Sequence, residues 1–352
     1  MRKKSHSAAV WGGSLNTLAQ NGTSSELKNA AIITGQGSEL GNDRVLKGRA
    51  KRKIISLKMA LTLIAIAEKK GDTEKIKSFW NTYYCQNRLV THDNRYFGDY
   101  CKNRFCILCS SIRKAVIIKR YYPVLKTWPQ PYFVTLTVKA YPLKSLRIML
   151  KGMIKAFRQI TGRYRKMYQR GKGIQLIGIK SLECNFNPKK RTYNPHFHVI
   201  VPTREIAEIL IKEWLLKWTP KHAGRQCQDL RPIHNLETAL IETIKYGSKI
   251  FTEPDVNKKS NTGNSNIHAL ALYNIFDAME GLRLFDRFGF DLPKNSNPQP
   301  KGARVVTDYH EWIFDPYNFD WLGVENEQTL TGYNPPSGLA NLLENNIDRE
   351  LE

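Results

Sequence analysis

The stretch Pro195-His196-Phe197-His198-Val199-Ile200-Val201 decides the fold that this sequence predicts. Its polar and apolar residues alternate as in a β-strand, where residues two apart project from the same side. His196 and His198 therefore share one side of the strand, while the residues between them point into a core. Two imidazoles one strand step apart can chelate a single divalent cation.

The preceding strand candidate, residues 174–185, supplies a third candidate ligand. The turn-rich segment NPKKRTYNP joins it to the histidine strand and predicts an antiparallel hairpin. Glu183 is the only acidic residue between positions 174 and 201, and a carboxylate in so apolar a strand is hard to explain structurally. A carboxylate beside two imidazoles suits Mg²⁺ or Mn²⁺. The alternative is a metal-free surface, because a His-x-His pair alone is a weak motif.

Outward from this hairpin, apolar periodicity predicts alternating strands and helices. Strands are predicted at residues 132–138, 174–185, 196–201 and 228–233, and helices at 143–168, from Thr203 to 218 and from Asn235 to 250. The order β-α-β-β-α-β, followed by a helix, is that of a split βαβ sheet. We therefore expect an α+β fold with a ferredoxin-like or RRM-like antiparallel sheet, helices on one face and an open catalytic face.

The last predicted helix carries a polar stripe. At about 100° per residue, Glu242, Tyr246 and Lys249 fall within an arc of about 60°. A tyrosine can attack a phosphodiester if a metal draws charge from the phosphate and a lysine stabilises the phenolate, whose unperturbed pKa is about 10. Glu242 could activate water for a second cleavage. The alternative is an amphipathic helix with an interfacial tyrosine.

Net charge indicates a polyanionic partner. The chain has 352 residues and a net charge of +24. Residues 305–352 contain ten acidic residues and one basic residue, so residues 1–304 carry +33, which is 24 plus 9. Such an excess of cations points to nucleic acid.

Four cysteines fall in one short region. Cys101, Cys106 and Cys109 have the spacing Cys-x4-Cys-x2-Cys, and Cys85 lies upstream. Four thiolates suffice for a closed tetrahedral Zn²⁺ site, with four unpaired thiols as the alternative and His92 as a possible substitute for Cys85. Cys184 and Cys227 are expected to be ordinary core residues.

Composition also predicts the organisation of the chain. We expect a disordered basic tail at residues 1–52, a helical segment with the cysteine cluster at 53–125, a catalytic core at 126–255, a linker with a helical extension at 256–304 and an acidic tail at 305–352. The start of the chain lacks a signal-peptide pattern, and the apolar run at residues 59–67 is too short to span a bilayer. A buried helix, a bacterial cytoplasmic location and no membrane partner follow as expectations.

Together the motifs resemble the HUH endonucleases, and among them the plasmid rolling-circle replication initiators (Rep proteins) that use one tyrosine and one glutamate. Residues 133–137 (FVTLT) look like the family's first motif, residues 196–198 (HFH) like its metal motif and residues 242–249 like its tyrosine motif. The resemblance covers roughly residues 80–250. It is specific because three motifs share their order and spacing.

The resemblance implies a role for each candidate residue. Tyr246 would form the nick and a 5′-phosphotyrosine, Glu242 would activate water at termination, and Lys249 would hold the phosphate or the tyrosine. The implied substrate is plasmid origin DNA, single-stranded at the nick, with a 3′-OH left for the host polymerase and a host helicase as partner. Single-stranded DNA suits an open sheet, where flanking bases can splay apart.

Other classes of protein compete with this interpretation. A non-catalytic zinc-containing nucleic-acid binder would need the charge and the cysteines but not the other motifs. A histidine-based nucleotide hydrolase would need a third histidine where Ile200 stands. Relaxases and transposases of the HUH type are harder to separate from replication initiators, although the cysteine cluster and Glu242 favour replication.

Overall fold

The structure, a computed structural model, describes residues 30–244, 265–293 and 302–337. Its strands are β1 (Ala31–Thr34), β2 (Ser38–Glu39), β3 (Arg88–His92), β4 (Arg95–Gly98), β5 (Tyr132–Thr137), β6 (Gly178–Asn187), β7 (Thr192–Val201), β8 (Asp229–Pro232), β9 (Phe285–Phe288), β10 (Ala303–Val306), β11 (His310–Asp315) and β12 (Asp320–Gly323). Its helices are α1 (Asp43–Lys70), α2 (Thr73–Tyr83), α3 (Ile107–Leu125), α4 (Leu143–Gln169), α5 (Arg204–His222), α6 (Leu236–Thr243) and α7 (Ser265–Met279).

The central sheet has the strand order β8-β5-β7-β6-β9, and every neighbouring pair is antiparallel. Its first four strands, with α4 and α5 as the crossovers, reproduce the predicted split βαβ arrangement. The predicted α+β fold is thereby confirmed. Strand β9 extends the sheet at β6, and no sequence pattern indicated it.

One face of the central sheet packs against α4 and α5. Val134 of β5 and Phe197 of β7 are fully buried beneath Phe157 of α4 and Trp214 of α5. The indole Nε1 of Trp214 donates to the carbonyl of Thr137 at 3.0 Å, which satisfies its only polar atom. Burial of such side chains stabilises the fold by about 1.5–3 kcal/mol each.

The second face of the central sheet is apolar at one end and polar at the other. At the apolar end, Phe133 and Ile200 pack against Leu125 of α3 and Leu240 of α6. Helices therefore cover part of the face that was expected to be open. The polar end carries the two histidines and the glutamate. The candidate metal ligands therefore lie at one end of this face of the sheet.

A second sheet, called here the N-terminal sheet, has the order β12-β11-β3-β4-β2. Its core contains Leu63 of α1, Phe79 of α2, Phe314 of β11 and Trp321 of β12. Trp321 is fully buried and donates from Nε1 to the carbonyl of Gln86 at 2.7 Å.

The N-terminal sheet and a separate two-stranded sheet of β1 and β10 correct two predictions about the ends of the chain. Residues 30–52 are not a disordered tail, because β1 pairs with β10 and α1 begins at Asp43 with Asn42 as its N-cap. Residues 305–337 are not a tail either, because β11 and β12 belong to the N-terminal sheet. Their acidic composition obscured an alternating apolar pattern that includes Trp312 and Phe314. Residues 1–29 and 338–352 lie outside the described residues.

The apolar run predicted as a buried helix lies in α1, where Met59, Leu63 and Ala67 are fully buried. Within the described ranges, no helix combines the length and apolar character that a bilayer span requires.

Candidate metal centre and cysteine cluster

The β6–β7 hairpin brings the predicted metal ligands together. Glu183 lies opposite His196 in the antiparallel register, and Ser181 lies opposite His198. Oε2 of Glu183 is 3.8 Å from Nε2 of His196 and 3.6 Å from Nε2 of His198. All three side chains are buried, with relative exposures of 4%, 6% and 8%. The three residues form one group that could hold a metal ion.

Neighbouring groups orient both imidazoles toward Glu183. Nδ1 of His196 lies 3.1 Å from the carbonyl of Asn194 and donates to it, because a carbonyl can only accept, so Nε2 is the nitrogen that faces Glu183. Nδ1 of His198 lies 3.3 Å from the hydroxyl of Thr135, its partner across the β5–β7 pair. Such contacts fix the ring orientation of metal-binding histidines.

The threonines of the FVTLT segment support this arrangement. The hydroxyl of Thr137 is 3.0 Å from Oδ1 of Asn194, the residue whose carbonyl holds His196. Both threonines lie opposite a histidine in the β5–β7 pair, Thr135 opposite His198 and Thr137 opposite His196. In the structure, Thr135 contacts a histidine directly and Thr137 acts through Asn194.

The donor set fits a divalent cation. Oε1 of Glu183 is buried and has no hydrogen-bond partner within the described residues. An ionised carboxylate with an unpaired buried oxygen is costly unless a cation or a donor compensates it. Two imidazole nitrogens and one carboxylate leave coordination positions for phosphate oxygens.

A cavity of about 300 Å³ adjoins the glutamate at the β6 edge of the sheet. Phe79 of α2, Phe105 and Phe276 of α7 contribute aromatic walls, and Arg104 contributes charge. The cavity therefore lies between the cysteine-bearing segment and the central sheet.

The predicted tyrosine helix is described only in part. Asn235 caps α6 as expected, because its Oδ1 accepts from the backbone N–H of Thr238 at 2.9 Å. The described part of α6 ends at Thr243, and Leu240 and Ile244 are fully buried. Residues 245–264, which include Tyr246 and Lys249, lie outside the described residues. Their position relative to the metal ligands stays a prediction.

Glu242 has a partner that the sequence did not indicate. Nη2 of Arg231, on β8, donates to Oε2 of Glu242 at 3.0 Å. Arg231 also lies over the ring of Phe133, at 4.7 Å from its centroid. Glu242 therefore stands on the same face of the sheet as the histidines, held in an ion pair.

The four predicted cysteines form one compact cluster. The Sγ atom of Cys109 is 3.6 Å from that of Cys85 and 3.6 Å from that of Cys101. With Cys106, the four sulfurs all lie within 4.8 Å of one another. Tetrahedral zinc with Zn–S bonds of about 2.3 Å places its sulfurs about 3.8 Å apart, so the cluster has the dimensions of a closed metal site.

The surroundings of the cluster suit a negatively charged centre. Lys53 of α1 is fully buried and donates from Nζ to the carbonyls of Tyr83 at 2.7 Å and Cys85 at 2.9 Å. Burial lowers the pKa of Lys53 to about 8, while the nearby thiols oppose that shift. Cys106 caps α3, its Sγ accepting from the backbone N–H of Cys109 at 3.5 Å.

The remaining candidates in this region take other roles. His92 lies on β3 and contacts the carbonyl of Asp308 at 2.6 Å, so it is not part of the cluster. Cys184 is buried in β6 as expected, and burial raises the pKa of its thiol. Cys227 is exposed in a short 3-10 turn, so its assignment to the core is wrong.

Comparison with known proteins identifies relatives for most of this region. A family model described as "Replication protein" matches residues 94–206, a span that includes Cys101, Cys106, Cys109 and the three candidate metal ligands. It ends before Glu242. No solved structure matches the chain significantly.

Three relatives, each called "Protein rep", illustrate the similarity. One from Streptococcus pneumoniae serotype 2 is 26% identical over 248 residues, which cover 64% of this chain and 73% of the relative. One from Staphylococcus aureus is 27% identical over 187 residues, covering 48% of this chain and 79% of the relative. One from a Bacillus species is 29% identical over 165 residues, covering 45% and 50%. Residues 94–206 are therefore similar to the Rep family of replication proteins, the family that the sequence motifs resemble.

Proposed function

We propose that this replication initiator is a metal-dependent DNA nickase that starts plasmid rolling-circle replication through a covalent bond to Tyr246. The observation that carries the proposal is the buried group of Glu183, His196 and His198, whose glutamate has an uncompensated oxygen. Phosphodiester cleavage by a phenol needs compensation of the phosphate charge, and this group is built to hold Mg²⁺ or Mn²⁺.

Nicking follows from the residues in these roles. A divalent cation held by the three ligands would stabilise negative charge on the phosphate oxygens. The Tyr246 oxygen forms a bond to phosphorus, the bond from phosphorus to the 3′ oxygen breaks, and the phenol proton ends on that oxygen as a 3′-OH. Lys249 would stabilise the phenolate during the transfer. The products are a 5′-phosphotyrosine and a primer for the host polymerase, after unwinding by a host helicase.

Termination would use Glu242. Its carboxylate takes a proton from water, the water oxygen bonds to phosphorus at the regenerated junction, and the bond from phosphorus to the 3′ oxygen breaks. Glu242 returns the proton to that oxygen, so a second 3′-OH leaves without a second protein adduct. The ion pair with Arg231 holds Glu242 on the catalytic face and occupies Oε2, so its opening would free that oxygen to accept a proton. This ion pair would delay hydrolysis until the first transfer is complete.

The cysteine cluster would stabilise the fold and take no part in the cleavage reaction. Four thiolates at tetrahedral separations leave no open coordination position, which is typical of structural Zn²⁺. Bound zinc would tie the end of α2 to the start of α3.

The decisive experiment is a search for the covalent product. The protein is incubated with Mn²⁺ and single-stranded oligonucleotides tiled across the replication origin of its plasmid, and the products are digested and analysed by mass spectrometry. We expect a nucleotide adduct on the Tyr246 peptide, none with Tyr246→Phe, and an unchanged yield with the control Tyr168→Phe, an exposed tyrosine of α4. Nicking by the Tyr246→Phe protein would refute the covalent mechanism.

Chelation tests the metal separately. We expect EDTA to abolish nicking and added Mn²⁺ or Mg²⁺ to restore it. Cleavage that survives chelation would exclude a role for the glutamate–histidine group in phosphate activation. Origin binding without any cleavage by the wild-type protein would favour the non-catalytic binder.

A further inference from the structure

Helix α4 and its flanks are rich in cations and belong to a longer stretch, residues 100–182, that contains no aspartate or glutamate. Residues 139–172 contain eleven lysines and arginines and no aspartate or glutamate. The whole chain carries +24 over 352 residues, whereas this segment carries +11 over 34. All eleven side chains are exposed, so none of this charge is used in the core.

Six of these side chains form one line along the helix. At about 100° per residue they fall within an arc of about 100° on the side opposite the buried residues. Arg147 falls in the same arc but donates to the backbone carbonyls of Asp277 and Ala278, so it is not counted among them. These six, called here the cationic stripe, are Lys144, Lys151, Lys155, Arg158, Arg165 and Lys166. Like charges at i and i+4, such as Lys151 and Lys155, destabilise an isolated helix.

Within the described part of the chain, the cationic stripe has no internal compensation. Among the residues that the structure places, none of the six forms an ion pair with a carboxylate, although Arg163 outside the stripe pairs with Glu213 of α5. A solvated helix face usually mixes both signs of charge, and the adjacent α5 does so, since Glu205 and Glu208 accompany its lysines. The one-sided charge of α4 therefore exceeds what solubility requires and indicates an external polyanion.

The length and composition of the cationic stripe indicate which kind of polyanion it fits. From Lys144 to Lys166 the helix rises by about 33 Å at 1.5 Å per residue, close to the 34–36 Å of one turn of B-DNA. No aromatic residue falls within its arc. Unpaired bases are usually bound by stacking on aromatic side chains, so the stripe fits a duplex backbone better than a single strand.

We propose that the cationic stripe of α4 binds the phosphate backbone of duplex DNA beside the nick, an inference that rests on the proposed function. Helix α4 packs through Leu150 and Phe157 onto the sheet face opposite His196 and His198. The duplex would therefore lie behind the sheet, and the single-stranded segment would pass around an edge to the metal ligands. Duplex binding and cleavage would use separate surfaces.

A pair of charge-matched variants tests the surface. Lys151→Gln/Lys155→Gln/Arg158→Gln removes three charges from the stripe, and Lys212→Gln/Lys217→Gln/Lys221→Gln removes three from the exposed face of α5. Both full-length proteins lose the same net charge, so only the location differs. Their binding to a duplex from the plasmid origin is measured across a salt series, with circular dichroism and thermal melting to confirm folding.

For the α4 variant we expect binding at least tenfold weaker in about 0.1 M salt, with the log–log salt slope smaller by about 2–3 because three phosphate contacts are lost. The α5 variant should change the slope by less than about 0.5. Equal losses in both variants, or no loss in either, would overturn the proposal. Stripe-dependent binding to anionic phospholipid vesicles without stripe-dependent binding to duplex would assign the surface to a membrane and also overturn it.

A cleavage assay separates this proposal from the proposed function. On a short single-stranded origin oligonucleotide, the α4 variant should lose far less activity than it loses in duplex binding. If the wild-type protein fails to cleave that oligonucleotide, the nickase proposal fails, while the salt series still decides whether α4 binds duplex. If the α4 variant loses oligonucleotide cleavage as strongly as duplex binding, the separation of surfaces is wrong.

Discussion

The two groups of candidate metal ligands differ in how completely they surround an ion. The cysteine cluster brings four sulfurs together from the end of α2, the following loop and the start of α3. The glutamate–histidine group brings three side chains together on two adjacent strands and leaves Oε1 of Glu183 without a partner in the described structure. A closed set of ligands stabilises a fold, whereas an incomplete set leaves room for substrate. Ligand number thus separates a structural role from a chemical one.

The largest effect is expected from breaking the closed cluster. Cys106→Ser should abolish zinc retention and lower the midpoint of thermal unfolding by more than about 10 °C, because structural zinc contributes on the order of 10 kcal/mol to folding. Serine still caps a helix, so the loss will not come from α3 capping. Metal content by mass spectrometry and a thermal melt measure the effect.

The exposed Cys227→Ser change is the control for a lost thiol and should leave both measurements unchanged. A Cys106→Ser protein that melts like the wild type would show that the cluster holds no structural metal.

At the glutamate–histidine group we expect a smaller effect on the stability of the fold but a large effect on the rate of nicking. His198→Ala should slow nicking by on the order of 10³-fold, since metal stabilisation of the phosphate is worth several kcal/mol. The melting midpoint should change little because the imidazole is not part of the apolar core. Single-turnover cleavage of the origin oligonucleotide gives the rate, with His310→Ala, an exposed histidine of β11, as control. Equal rates for the two variants would remove the histidine pair from the mechanism.

Residues that orient the ligands of the glutamate–histidine group should have a smaller effect on nicking than the ligands themselves. Thr135→Val removes the hydroxyl 3.3 Å from Nδ1 of His198 and should weaken metal binding by about 10-fold to 100-fold. The Mn²⁺ concentration that supports half-maximal nicking measures this shift, which should be recoverable at high Mn²⁺. Thr307→Val, at an exposed position, is the matched control. A loss that excess Mn²⁺ cannot restore would mean that Thr135 contacts DNA instead.

The smallest effect is expected at the Arg231–Glu242 pair. Half-exposed ion pairs are worth about 0.2–1 kcal/mol, so Arg231→Gln should increase hydrolytic release relative to adduct formation by about twofold to fivefold. The ratio of released DNA to protein–DNA adduct after a second-strand cleavage gives the value. Arg204→Gln, which breaks the exposed pair with Glu208, serves as control. A decrease in release would show that Arg231 supports Glu242 instead of restraining it.

Local patterns were sufficient to predict the first four strands of the central sheet and the side chains that they bring together as candidate metal ligands. The alternation in β5 and β7, the caps Thr203 and Asn235, and the hairpin that places Glu183 opposite His196 all arise from residues close in sequence. Even Pro195 in β7 fits, because β5 pairs with β7 only as far as His196 and the proline lies beyond that pairing. Proline is tolerated where a strand loses a neighbour.

Pairings between distant segments were not predictable in the same way. Strand β3 pairs with β11 across more than 200 residues, and no local pattern specifies such a partner. The acidic composition of residues 305–337 suggested a tail because net charge dominated over the few large apolar residues. The Arg231–Glu242 pair was missed for a different reason, because the two residues are eleven apart and meet through the turn between β8 and α6, which no sequence pattern specified.

The pairing of β3 with β11 also imposes an order on synthesis. A ribosome releases residues 88–98 long before residues 310–323, so a nascent chain has β3 and β4 but neither β11 nor β12. Until these last strands emerge, Leu63 and Phe79 lack Phe314 and Trp321 as neighbours. Premature termination near residue 300 therefore leaves the N-terminal sheet incomplete and its apolar side chains exposed. We expect such a truncated initiator to aggregate or to be degraded by proteases before it binds an origin.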